Sequence, residues 1–132
     1  MATKIEAINA YRPKVVLNPL AKSDQVVDFI AMRTGLNKGS VQLALAELCD
    51  AVTFFNLQGT PVKIEGLGIY TPGIDTEGTF DAGHRTDQAI VKALNVPGAF
   101  KGVIENRENI GKTSQDFIAK WNADHPDDPV AA

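Results

Sequence analysis

The segment from Thr34 to Tyr70 sets the strongest constraint on the fold, because it orders a helix-to-helix turn, a long helix and a strand interrupted by Gly66-Leu67-Gly68. The helix, predicted from about Gly39 to Leu57, is capped by Asn37 and stopped by Gly59. Glu47, Asp50, Thr53 and Asn56 recur along it as a narrow polar stripe. Val41, Ala44, Leu45, Leu48, Cys49, Val52 and Phe55 cover much of the remaining circumference, so the helix is apolar on more than one side. One small sheet covers only one of those sides. A second copy of the chain is the natural cover for the other, and the expectation is a homodimer.

Val62 and Ile64 alternate with Lys63 and Glu65 as a half-buried strand should. The apolar set then slips to Leu67 and Ile69, which predicts a bulge or bend at the glycines. Pro72, Gly73 and Gly78 place a turn between Tyr70 and Thr79, and Thr79 to His84 returns as the partner strand of a hairpin with a short tip. Before the long helix, Ser23 and Asp24 start a shorter one carrying Val26, Val27, Ile30 and Ala31, which Gly35 ends. After the hairpin, Thr86 or Asp87 caps a third helix with Ile90, Val91 and Leu94, closed by Asn95 and Pro97-Gly98. A last helix starts at the capping-box-like pair Thr113 and Asp116 and carries Phe117, Ile118 and Trp121 on one face. His125-Pro126 ends it, and the acidic tail beyond is expected to fray.

Pro13 and Pro19 argue against a helix through residues 1 to 22, which read as an extended arm or edge strand. Lys4, Arg12, Lys14 and Lys22 against Glu6 make that segment +3, leaving −6 on the other 110 residues. The arm either patches a sheet edge with its lysines in solvent or grips a nucleic acid. With 132 residues and 44% apolar content, the chain supports one domain with extensions. The expected division is an arm over 1–22, a central domain over 23–95 and an extension over 96–132.

Chemistry finds little foothold. Gly111-Lys112-Thr113 has the end of a phosphate-loop motif, but Asn106 stands where its first glycine belongs, so a helix-starting turn is expected there. His84 and His125 lie in different elements and Cys49 is alone, which leaves no metal-ligand spacing and no disulfide. The acidic residues fall on polar faces or in the tail, and no serine or cysteine sits in a nucleophile motif. Neither an enzymatic role nor a cofactor is expected. Cys49 reads as a buried small side chain and Trp121 as core, while Tyr70 reads as a residue that either packs or meets a ligand. No run approaches the apolar length of a membrane span, and no signal-peptide core is visible, so a cytoplasmic protein is expected. The net charge of −3 argues against coating nucleic acid by bulk charge.

Thr34-Gly35-Leu36-Asn37-Lys38-Gly39, the long helix, Gly59, Val62 to Ile64 and Gly66-Leu67-Gly68-Ile69-Tyr70 together resemble the matching elements of the HU/IHF family of bacterial histone-like DNA-binding proteins. The resemblance spans roughly residues 23 to 95. It implies an α+β fold with a helical base and a short β-hairpin sheet, here with an extended N-terminal segment and a C-terminal helix added. It implies an intertwined homodimer whose paired β-arms clasp the minor groove of duplex DNA and bend it with little sequence preference, in the nucleoid. The logic is phosphate neutralisation plus an apolar wedge at each arm tip. On that reading Lys63, Arg85 and Lys92 would face DNA, with Lys101, Arg107 and Lys112 as a second patch and Arg12 and Lys14 on the arm.

This chain departs from the family in three ways. Its arm from Pro72 to Gly78 is short, carries Asp75 and Glu77, and matches no wedge proline by motif. Leu67 stands where the family has an aromatic, and the last third of the chain has no counterpart in the short members. The alternative is therefore a protein-interaction or structural dimer module that has lost DNA binding and turns its acidic hairpin to a protein partner.

Overall fold

The computed structural model describes residues 1 to 131. In chain order the elements are α1 (Lys4–Tyr11), β1 (Lys14–Val16), α2 (Ser23–Thr34), α3 (Lys38–Leu57), β2 (Val62–Ile64), β3 (Gly68–Ile74), β4 (Phe80–Thr86), α4 (Gln88–Leu94), β5 (Val103–Glu105), a 3-10 turn (Arg107–Asn109) and α5 (Ser114–Asp124). They form a mixed helix and strand architecture with two small antiparallel sheets, β1-β5 and β2-β3-β4. The chain divides into one unit from Leu20–Phe100 and another that joins Met1–Pro19 to the segment from Lys101 onward.

In the Leu20–Phe100 unit, α2 ends where Gly35 takes φ 73°, a left-handed value that favours glycine. Two residues later Asn37 Oδ1 accepts from the Gly39 amide at 2.7 Å and starts α3. The tight joint turns α3 back onto α2, and Val27 and Val41 are buried between these elements' inner faces. Asn56 does not belong to a solvated stripe: its Nδ2 donates to Thr60 O at 3.1 Å and Tyr70 O at 3.3 Å, tying α3 to the sheet.

The expected single strand with a bulge is corrected to two strands. Glu65, Gly66 and Leu67 form a turn, with Gly66 at φ 83° and the Leu67 amide donating to Ile64 O at 3.0 Å. Gly68 follows at φ 146°, where an added Cβ would collide with the Arg85 carbonyl, so the close approach of β4 requires glycine. The hairpin is also longer than expected. β3 runs on through Pro72 and Gly73 to Ile74, opposite Phe80, and only Asp75 to Thr79 turn. Pro72 is tolerated because β2 has already ended at the Val62 to Tyr70 pair, leaving an open edge that needs no amide donor.

The helix α3 is the longest element among the described residues. By length and a mean hydropathy of 1.2, its 20 residues are apolar enough to cross a membrane, although no unbroken apolar run is present. Asp50, however, stands near its middle, where a charge in a bilayer costs about 2.5–3.5 kcal/mol. Cys49, expected to be buried, is exposed on this helix in the single chain.

The second unit overturns the extended reading of residues 4–11 and keeps an edge strand only at β1, Lys14–Val16. Residues 4–11 are helical because Thr3 and Glu6 form a reciprocal capping box, the Thr3 amide donating to Glu6 Oε2 at 2.7 Å and Thr3 Oγ1 accepting from the Glu6 amide at 3.1 Å. Pro13 lies beyond this helix and ends it instead of interrupting it. α1 packs on α5, β1 pairs with β5, and Ala7 and Phe117 are buried. Two asparagines hold the end of α1: Asn106 Nδ2 donates to Ala10 O (3.0 Å) and Arg12 O (3.1 Å), and Asn109 Nδ2 to Tyr11 O (2.7 Å). Nor does the described tail fray. Trp121 stacks on His125 at 3.8 Å and donates to Asp128 O at 2.8 Å, and Val130 bridges to Ala2.

Tyr11 Oη donates to Asp124 Oδ2 at 2.7 Å, which holds the Asp124 carboxyl below the usual carboxylate range and pushes the Tyr11 phenol up. A depressed carboxylate contributes stability that is present above its unfolded pKa and lost as pH falls through its folded one. A raised phenol contributes stability that is present below its unfolded pKa and lost as pH rises through its folded one. Near-ultraviolet melting of Tyr11→Phe should therefore show a shallower loss of stability below about pH 4 than the parent. An acid limb identical in both would remove this bond from the account. The Asp116 carboxyl, held low by the Thr113 amide and hydroxyl, keeps its own share in either protein.

Candidate nucleic-acid interface

The β2-β3-β4 sheet sorts its side chains by register. Lys63 lies opposite Ile69, and Ile69 opposite Arg85, so these three form one row across the sheet. Directly opposed residues share a face, which puts Lys63 and Arg85 on the same side with their backbones roughly 10 Å apart. Val62, Ile64, Gly68 and Tyr70 occupy the other face and are buried or half-buried, the side on which Asn56 of α3 reaches the sheet. The Lys63 row is thus the outer face.

Lys63 Nζ lies 3.5 Å from Glu65 Oε1, with both side chains largely in solvent. Such a pair is screened and exchanges readily. Arg85 has no ion pair among the described residues. Lys92 lies in the last turn of α4, the helix that follows β4 after the Asp87 cap, whose Oδ1 accepts from the Ala89 amide at 2.8 Å.

The remaining candidates belong to the other unit. Lys14 faces Glu105 across β1-β5, and Arg12 Nε donates to Asn9 Oδ1 at 2.9 Å. Arg107 lies in the 3-10 turn, Lys101 precedes β5, and Lys112 precedes the Thr113 cap beside the Asp116 carboxyl. The structure therefore gathers Lys63 and Arg85 on one surface and distributes Arg12, Lys14, Lys101, Arg107 and Lys112 through a second body.

The outer face changes character along the hairpin. Beyond the Lys63 row come Thr71 opposite Gly83, then Gly73 opposite Asp81, and the turn itself carries Asp75 and Glu77. Charge runs from basic at the base of the arm to acidic at its tip. The whole Leu20–Phe100 unit holds six basic and nine acidic side chains, so the Lys63 and Arg85 row is a local basic patch against a negative background.

Sequence reasoning missed the apolar face of the arm. Pro72, Ile74, Phe80 and Ala82 share the face opposite Lys63, with Ile74 and Phe80 directly paired and 62% and 77% exposed. The period-2 spacing of Tyr70, Pro72 and Ile74 was the available signal, masked by the turn-forming Pro72-Gly73. Tyr70, which the sequence allows either to pack or to meet a ligand, is half-buried and lies against the His84 ring at 4.5 Å.

No protein-family model matches the sequence, and no curated protein does. Among solved structures, the chain is similar to an HU mutant from Thermotoga maritima at 18% identity and a TM-score of 0.47, over 55% of this chain and 96% of that one.

Proposed function

We propose that the Leu20–Phe100 unit forms half of a homodimer that binds duplex DNA without sequence preference, as an architectural protein of the nucleoid in the cytoplasm. The carrying observation is the row that places Lys63 and Arg85 together on the outer sheet face, the geometry that phosphate contacts require. The resemblance of Thr34 to Tyr70 to the HU/IHF family supports the same reading. A second copy doubles the basic row, and Lys92 on α4 is the remaining candidate of this unit. The role is binding rather than catalysis, and it needs no cofactor.

Asp75, Glu77 and Asp81 limit this surface. Carboxylates at the arm tip repel phosphates, so contact is confined to the base of each arm and wrapping is shallow.

Fluorescence anisotropy of a labelled duplex, titrated across a range of salt, tests the proposal. The parent protein should bind unrelated duplexes equally, with affinity falling steeply as salt rises. Lys63→Glu with Arg85→Glu should weaken all duplexes together and flatten the salt slope by about 0.9 for each phosphate contact removed. Equal affinity and slope in the double variant would overturn the assignment of this face.

A further inference from the structure

We propose that the tip of the β3-β4 hairpin is an anchor for a protein partner that presents an apolar helix face flanked by lysine or arginine. This is independent of the duplex-binding reading, which uses the opposite face at the base of the arm. Phe80 and Ile74 form a directly opposed pair, 77% and 62% exposed, and Pro72 opposite Ala82 extends the same face by one row. A large aromatic at such exposure has a strong hydrophobic incentive to bury itself against an apolar face.

The tip is also pre-organised. Asp75 Oδ1 accepts from the amides of Glu77 (2.8 Å) and Thr79 (2.9 Å), the Asp75 amide donates to Thr79 O (3.0 Å), and Gly78 takes φ 89°. A rigid tip loses little conformational freedom on binding, so more of the aromatic's burial appears as affinity.

Charge selects the occupant. From Pro72 to Gly83 the hairpin carries Asp75, Glu77 and Asp81 and no basic residue. A nucleic acid would bring phosphates against these carboxylates, and the tip of a second copy would bring its own acidic turn, Asp75 and Glu77, against the same pair. Lysine or arginine beside an apolar helix face complements them.

The test uses the full chain and a fluorescent synthetic helical peptide of leucine and lysine with its leucines on one face, beside a control peptide with serine in place of leucine. The parent protein should bind the leucine peptide and not the control. Phe80→Ser should weaken binding about thirtyfold, as loss of an anchoring side chain does. Glu77→Lys should weaken it about fivefold and reduce its salt dependence. Leu17→Ser, an exposed apolar residue elsewhere, should leave it unchanged. Equal binding of both peptides, or indifference to Phe80→Ser, would overturn the proposal. So would a drop in oligomeric state caused by Phe80→Ser, which would make the tip a contact between copies, or a selective loss of duplex binding, which would make it a DNA wedge.

Discussion

Phe54→Ser combined with Phe55→Ser is expected to convert the protein from a particle of twice its 14.2 kDa chain mass to a monomer whose Leu20–Phe100 unit no longer melts cooperatively. In the single chain that unit buries only two large hydrophobic side chains, Val27 and Val41, while Phe29, Met32, Leu43, Phe54 and Leu57 are each more than half exposed. Two buried valines contribute about 3–6 kcal/mol and the half-buried Leu45, Leu48, Val52 and Ile64 only part of their share, which is little against the entropy of ordering such a segment. On the proposed dimer reading, the missing core comes from burial of the helices on another copy, against the apolar circumference of α3. Phe54 and Phe55, in edge-to-face contact at 5.4 Å, are adjacent and so stand about 100° apart around the helix, covering a wide arc between them.

Truncating a buried phenylalanine costs about 3–5 kcal/mol, so losing two per chain should raise the dissociation constant by more than about a thousandfold. Sedimentation velocity reads the mass, and the parent's melting temperature should rise with protein concentration, as linked dimerisation requires. Leu17→Ser in the other unit provides the control. A parent chain that sediments as a monomer at micromolar concentration and melts independently of concentration would remove the dimer.

Helices α2 to α5 were legible because their punctuation is local. Gly35, Asn37, Asp87 and the Thr113 with Asp116 pair each act within four residues of their own position, and each does in the structure what its chemistry predicts. The sheet was less legible, since Pro72 and Gly73 signal a turn locally and are overridden by pairing with β4. That pairing, which puts Lys63 and Arg85 in one row, depends on a register no local motif states. Residues 1–22 failed for a related reason. Pro13 and Pro19 argue against a helix only from their own positions onward, the Thr3 and Glu6 capping box starts one upstream of both, and the partners of this segment lie about 100 positions away. The charge of this segment suggested an arm for DNA, whereas its backbone carbonyls serve as acceptors for Asn106 and Asn109.

Deleting residues 1–19 should therefore unfold the segment from Lys101 onward while leaving the Leu20–Phe100 unit intact. The deletion removes α1, the packing face of α5, and β1, the only strand paired with β5 among the described residues. It also strips the carbonyl acceptors at residues 10, 11 and 12 from two asparagines, one of them buried. Asn106 holds φ 58°, a left-handed conformation that costs about 1–2 kcal/mol and persists only while its surroundings compensate. What remains is an eleven-residue helix and a three-residue strand, below the length at which an isolated helix is stable in water. Limited trypsin digestion should cut at Arg107, Lys112 and Lys120 at least about a hundredfold faster than in the parent, since cleavage there tracks the population of the open form. Duplex affinity and dimer mass should stay within about twofold, because the Lys63 row and α3 lie in the other unit. Unchanged cleavage at those three sites would show that the C-terminal segment folds without the first nineteen residues, and the pairing of the two chain ends would lose its structural role.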